Sequence, residues 1–337
     1  MAGTAVGGTA PNRSGAHAIV VLDGYTLNPG DLSWDALRPI GALTIYERSA
    51  PSEVVERARG ATIVITNKVV LDAARLEQLP ELRYIGVSAT GTNIVDVEAA
   101  RQRNVLVTNV PDYGAASVAE HTFALMLEAS KSLAAHARAV AEGAWPRSPD
   151  FSFNVAPVVE LADRTLGIVG LGAIGARVAE IALAFRMRVI AAERPDTVAA
   201  KQRALPGVER RALDAVFAAA DVLSLHCPLT PATRAMVDAR RLGLMKPTAL
   251  LINTARGGLV DEAALARALR EQRIRGACLD VLSQEPPAAD NPLLSSPNCW
   301  ITPHMAWASV ESRRRLLNAT IDNVRAFAAG SPVNVVG

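Results

Sequence analysis

Cysteine is scarce in this chain, with three residues, Cys227, Cys278 and Cys299, among 337. Their spacing matches neither a metal-ligand pattern nor a disulfide framework, which fits a reducing cytoplasm. An excess of one charge is also missing. Thirty-five basic residues stand against 33 acidic ones, so no sequence-independent attraction to nucleic acid is expected. Only Lys68, Lys131, Lys201 and Lys246 are lysines. The arginine runs Arg210-Arg211, Arg240-Arg241 and Arg313 to Arg315 read as solvated helix faces. No apolar run approaches the ~18 residues of a membrane span. Residues 1–16 lack the apolar region of a secretion signal. Rich in Gly, Ala and Thr, they read as a disordered tail. What is present is ordinary for a globular protein, half apolar and a fifth charged. At roughly 100–200 residues per domain the length suggests two domains.

Short β-rich runs alternate with helical segments, the rhythm of βαβ units around parallel sheets. The class is therefore α/β. A first series of strands is expected at 18–23, 43–47, 62–66, 84–87 and 106–108, with helical spacing at 52–59 and 71–79. A long helix is expected from Ser117 to about Val140. It opens with a capping box, Ser117 to Glu120, and passes from one domain to the next. A second series follows at 166–169, 189–192, 222–226, 249–253, 277–281 and 300–302, with an amphipathic segment at 262–273. The last helix, 308–328, has no obvious place in the second sheet and is expected to return to the first domain. That organisation makes 17–112 with 303–337 one discontinuous domain and 113–302 the other.

Gly170-Leu171-Gly172-Ala173-Ile174-Gly175 matches G-x-G-x-x-G between an apolar strand and a helical pattern. There Gly170 makes the tight turn, Gly172 lets the backbone approach a pyrophosphate, and Gly175 allows close helix–strand packing. The helix start offers free N–H groups to phosphate charge. The next strand ends in Glu193, placed to accept the adenosine ribose diol and repel a 2′-phosphate, which favours NAD. Arg194 beside it keeps NADP open.

Three chemically able side chains follow strand ends in the same half. Arg256 lies in Thr254-Ala255-Arg256-Gly257-Gly258, with a fork that suits a carboxylate. Glu285 precedes Pro286-Pro287, and His304 follows Thr302-Pro303. A histidine whose other ring nitrogen bonds a carboxylate can donate a proton near neutral pH. The other histidines are weaker candidates. His17 lies beside the tail, His121 and His136 take packing or surface roles on the long helix, and His226 reads as a cofactor-pocket wall.

With these residues together the chain resembles the D-isomer-specific 2-hydroxyacid dehydrogenases. It is most similar to their glycerate dehydrogenase and hydroxypyruvate reductase type. The likeness runs from about Ile19 to Val335. It is strongest in Ala89 to Asn93, Ser117 to Glu120, the glycine motif, His226 to Thr230, Ile252 to Glu262, Leu279 to Pro287 and Thr302 to Ser309. It implies a Rossmann cofactor domain and a discontinuous flavodoxin-like substrate domain, both doubly wound parallel sheets. Arg256, Glu285 and His304 become the catalytic set, and Asp280 holds the nicotinamide carboxamide. Ala89, Thr90 and Gly91 bind the substrate carboxylate through backbone N–H groups, with Arg256 and Trp307 also at the substrate.

The resemblance also carries cofactor contacts onto Val118, Ala173, Ile174, Cys227, Pro228, Thr233, Thr254, Ala255, His304 and Ala306. A homodimer formed largely through the cofactor domains is implied, with a small 2-oxo or 2-hydroxy acid as substrate. Closure between domains, with hinges near Tyr113 and Pro303, is expected to exclude water. One departure is Arg186, where relatives often carry glycine. A phosphoglycerate dehydrogenase is a weaker reading, because the chain stops at Gly337 without room for a regulatory domain. A formate dehydrogenase would pair its histidine with Gln, where Glu285 stands here. A nicotinamide-sensing, corepressor-like binding protein is the alternative outside enzymes.

Overall fold

The computed structural model describes residues 17–194 and 204–337. The expected N-terminal tail, 1–16, lies outside the described residues. Two compact units form, one from 17–114 with 308–337, the other from the described part of 115–307.

The first unit has a six-stranded sheet of β1 (His17–Val21), β2 (Gly41–Ile45), β3 (Ile63–Thr66), β4 (Tyr84–Val87), β5 (Leu106–Thr108) and β13 (Val335–Val336). Its order is β13-β5-β4-β3-β1-β2, and every pairing is parallel except β13 with β5. The chain turns from one side of β1 to the other between β2 and β3, which creates a switch point at the carboxyl edge. β3 and β4 are buried throughout, as central strands covered on both faces must be. The helix Val310–Ala328 belongs to this unit. It packs on β4, with Phe327 4.6 Å from the Tyr84 ring and 5.7 Å from the His17 ring.

The second unit has seven parallel strands: β6 (Thr165–Val169), β7 (Arg188–Ala192), β8 (Val208–Arg211), β9 (Val222–Leu225), β10 (Leu250–Asn253), β11 (Gly276–Leu279) and β12 (Cys299–Ile301). Their order, β12-β11-β10-β9-β6-β7-β8, puts the switch point between β6 and β9. Alternation along the strands divides the core between the two faces. Leu223, Leu251 and Ala277 pack on one, and Val222, Leu250, Ile252 and Cys278 on the other. No helix among the described residues is long and apolar enough to cross a membrane.

Several expectations need correction. The long helix is two helices, Ala115–Lys131 and Leu133–Ala141, separated by Ser132 in the left-handed region at φ 51° and ψ 44°. Both lie within the second unit, so neither passes between domains. The Ser117 capping box does not form. The helix begins two residues earlier, and Ser117 Oγ donates instead to Ala306 O at 2.7 Å. Arg210 and Arg211 lie on β8, an edge strand whose charges discourage further pairing. Arg313 is buried, not solvated, and its guanidinium meets Asp31 in two bonds of 2.6 and 2.7 Å.

The units divide at Gly114/Ala115 and Trp307/Ala308, later than the 112/113 and 302/303 breaks drawn from sequence. Bonds from Ser117 and Asp280 tie the 302–306 segment to the second unit. Arg186 takes φ 61°, where glycine is favoured.

Candidate active site

The switch point of the second unit is built from the glycine loop after β6 and the His226-Cys227 segment after β9. Gly170 takes φ 100°, and a Cβ there would stand 2.6 Å from the backbone of both His226 and Cys227. A Cβ on Gly175 would lie 2.1 Å from Gly170 O, so the helix Ala173–Ala184 can only sit this close to β6 through glycine. In front of Gly172 there is open space. Ala173 and Ile174 open the helix, whose first N–H groups have no intrahelical acceptor.

Nε2 of His226 bonds Ser224 Oγ at 2.8 Å, while Nδ1 is buried and meets no partner among the described residues. Burial pushes the His226 pKa down to about 4, so the ring is neutral near pH 7. Burial also pushes the Cys227 thiol up to about 11. Thr233 Oγ1 donates to Pro228 O at 2.8 Å, closing the turn that follows. Glu193 and Arg194 are exposed just beyond β7. An open glycine backbone, an unobstructed helix start and an orphaned polar atom together fit a phosphate-bearing dinucleotide.

The next strand ends carry Arg256, Glu285 and His304. After β10, buried Asn253 donates to Arg256 O at 2.8 Å and accepts from Ala255 N at 3.0 Å, which fixes the turn. Gly257 lies so close to Leu282 and Ser283 that a Cβ would overlap their backbone. The Arg256 loop is thereby pressed against the segment leading to Glu285. Arg256 is half-buried, its Nη1 donates to Ala255 O at 2.7 Å, and no carboxylate among the described residues pairs with it.

Glu285 accepts from Leu282 N through Oε1 at 3.1 Å, and its Oε2 stands 2.5 Å from His304 Nδ1. His304 takes φ 51°, a conformation that costs a residue with a Cβ about 1–2 kcal/mol. Asp280, 1 % exposed, holds it there. The Asp280 carbonyl accepts from His304 N at 2.8 Å. Its carboxylate accepts from Thr302 Oγ1, Met305 N and Ala306 N at 2.6, 2.9 and 2.9 Å. Burial opposes the charge on Asp280, yet hydrogen bonds from His121, Thr302, Ala306 and Met305 together keep its pKa below the usual carboxylate value.

Helix Ala115–Lys131 supports this edge. Val118 is buried, Ser117 bonds Ala306, and Thr122 Oγ1 lies 3.2 Å from Thr254 Oγ1. Its His121, read from sequence as a packing or surface residue, reaches Thr302 and Asp280. No spacing rule reveals that contact, because Thr302 lies 181 positions away and Asp280 is likewise far along the chain. Trp307, half-buried, closes the unit.

In the first unit, Ala89, Thr90 and Gly91 follow β4. Asn67 donates to Ser88 O, Val110 N to Ala89 O at 3.0 Å, and Asn109 Nδ2 to Thr90 O at 2.7 Å. The carbonyls of Ser88, Ala89 and Thr90 are thus occupied. Among the described residues no acceptor takes the N–H groups of Ala89, Thr90 or Gly91.

Residues 123–306 match the family model described as D-isomer specific 2-hydroxyacid dehydrogenase, NAD binding domain. A hydroxypyruvate reductase from Blautia hydrogenotrophica is 42% identical over 321 residues, covering 94% of this chain and 99% of that protein. A glycerate dehydrogenase from Methylorubrum extorquens is 43% identical over 294 residues, covering 86% and 90%. The structure of a D-lactate dehydrogenase from Aquifex aeolicus, complexed with NAD and lactic acid, superimposes with a TM-score of 0.80 at 31% identity, covering 93% and 96%. The chain belongs to the D-isomer-specific 2-hydroxyacid dehydrogenases and is an oxidoreductase that works with a nicotinamide dinucleotide.

Proposed function

We propose that the protein reduces a small 2-oxo acid with NADH, hydroxypyruvate to D-glycerate or glyoxylate to glycolate, and catalyses the reverse oxidation with NAD. The observation that carries this reading is the 2.5 Å contact of Glu285 with His304 Nδ1. With Nδ1 engaged by a carboxylate, Nε2 is the nitrogen left to donate a proton.

When bound, the reduced nicotinamide supplies the hydride that adds to the carbonyl carbon. Gly170, Gly172 and Gly175 with the first N–H groups of Ala173 and Ile174 receive the pyrophosphate. Glu193 accepts the ribose diol and disfavours a 2′-phosphate. Val118, Cys227, Pro228, Thr233, Thr254, Ala255, Asp280 and Ala306 line the rest of the cofactor site. As the carbonyl π electrons move onto oxygen, His304 gives that oxygen its Nε2 proton and becomes neutral. Glu285 orients the ring beforehand through its contact with Nδ1. Arg256 orients the substrate carboxylate and polarises the carbonyl. On the first unit the free amides of Ala89, Thr90 and Gly91 form a nest that suits a carboxylate, and on the second Trp307 is the further substrate residue.

A homodimer is supported by an apolar surface on the second unit. Leu133, Val140, Trp145, Phe151, Val155 and Val158 are exposed, Phe151 by 91%, and the helix Leu133–Ala141 buries none of its residues. A dimer is the expected sedimenting species at micromolar concentration, and a monomer would overturn this part. Three free thiols support a reducing, cytoplasmic setting.

Purified protein mixed with NADH and a series of hydroxypyruvate, glyoxylate, pyruvate and larger 2-oxo acids tests the reaction. Rapid NADH oxidation with the first two is expected. No oxidation with any of them would favour a nicotinamide-sensing binding protein.

A further inference from the structure

His121 lies within the helix Ala115–Lys131, with a side chain only 16% exposed. Its Nε2 is 3.0 Å from Thr302 Oγ1 and 3.5 Å from Asp280 Oδ1. Thr302 Oγ1 also donates to Asp280 Oδ1 at 2.6 Å. A hydroxyl has one proton and a carboxylate can only accept, so the Thr302 proton is committed to Asp280. The contact with His121 must then run from Nε2–H into an Oγ1 lone pair. This assigns the ring a donor at Nε2 and gives the chain of bonds one direction: His121 to Thr302 to Asp280.

The carboxylate at the end of that chain is the anchor of the His304 segment. It receives Met305 N and Ala306 N, and the Asp280 carbonyl receives His304 N. His304 occupies a backbone conformation that surrounding bonds must impose. Thr302, two residues before it, is therefore held from one side by Asp280 and from the other by His121. Met305 and Ala306, immediately after it, are held by the Asp280 carboxylate, and Ala306 also by Ser117. Loss of the His121 donor would leave Thr302 Oγ1 with one bond fewer and Asp280 with less compensation for a deeply buried charge.

We propose that His121 is a positioning residue of the reaction, acting through Thr302 and Asp280 to hold His304 where Glu285 can complete its orientation. The proposal rests on the reduction described above, and its test separates the two. Leucine at 121 keeps the approximate volume without a donor, and glutamine places a donor near the Nε2 position. His121→Leu is expected to lower kcat with hydroxypyruvate by about tenfold, the scale of lost supporting hydrogen bonds around a reactive group. The KM for NADH should change less than kcat, because the glycine loop that takes the pyrophosphate keeps its bonds and only the part of the cofactor site around Asp280 is touched. His121→Gln should recover most of the loss. The double variant His121→Leu/Thr302→Val should lose no more than the larger of the two single losses, since both cut one chain of bonds.

Ring-nitrogen NMR of the protein without cofactor gives a readout independent of turnover. His121 should show the Nε2–H tautomer, and the His304 ring signals should move in His121→Leu and return in His121→Gln. Unchanged turnover with unmoved His304 signals, equal loss in the Leu and Gln variants, or an Nδ1–H tautomer at His121 would overturn the proposal. If the parent reduces none of the 2-oxo acids, the functional reading fails while the ring signals still decide the role of His121.

Discussion

His304 Nδ1 and Glu285 Oε2 stand 2.5 Å apart across 19 residues of chain, and His304 is also held by its backbone at φ 51°. The ring and the main chain are thus constrained separately, the ring by Glu285 and the main chain by Asp280. Each constraint can be removed without the other.

General acid catalysis contributes typically 10²–10⁴-fold, so His304→Ala is expected to lower kcat by about that factor with NADH affinity nearly unchanged. Glu285→Gln keeps the side-chain shape and removes the carboxylate that faces Nδ1, so it should lower kcat while NADH affinity stays close to the parent's. Steady-state rates check both variants. Near-normal turnover in either would sink the His–Glu mechanism.

Cofactor choice should respond to a single charge. Glu193 is exposed beyond β7, next to Arg194. Replacing it with alanine removes the group that repels a 2′-phosphate, so NADPH use should rise relative to NADH. The ratio of kcat/KM for the two cofactors measures this, and an unchanged ratio would reject the assignment.

Arg186 ends the helix Ala173–Ala184 in a Schellman arrangement, with Met187 N bonded to Ala182 O and Arg186 N to Leu183 O. The left-handed conformation costs arginine about 1–2 kcal/mol, partly offset in a glycine variant by about 0.4–1 kcal/mol of unfolded-chain entropy. Arg186→Gly should therefore raise Tm by about 1–3 °C. A lower Tm would mean that the exposed arginine makes a compensating interaction.

His226 links stability to acid. Burial lowers its pKa from 6.5 to about 4 in the folded protein. Between those values the unfolded chain binds a proton that the folded chain refuses, so stability falls as pH drops from about 6.5 to about 4. Above pH 6.5 the group contributes no slope. His226→Gln should flatten this part of a denaturant-midpoint profile against pH. Parallel profiles for the parent and variant would count against the burial effect.

Much of the fold was legible because parallel sheets covered on both faces demand near-continuous apolar strands. β4 and β5 fall at the positions expected from pattern alone, and the other central strands within a few residues. β8 escaped because an edge strand needs no apolar pattern, and Val208–Arg211 carries mostly charge. β13 escaped because two residues make no period. The break at Ser132 escaped because its neighbours on both sides keep helical spacing, and a single left-handed residue leaves no trace in periodicity.

For the candidate site, the amino-acid sequence by itself determined the parts that are local. The glycines of the dinucleotide loop, and Arg256, Glu285 and His304 after their strands, follow from short segments whose residue types are dictated by turn geometry and charge. Tertiary structure alone decided the contacts that close over long separations. Asp280 anchoring the His304 segment and His121 reaching Thr302 across 181 positions are examples. So are Gly257 pressed on Leu282 and Ser117 diverted from a helix cap to Ala306. The physical reason is that a hydrogen bond depends on distance and direction in space. Helical and strand periods carry that information for only a few residues, and beyond them packing sets which polar groups meet.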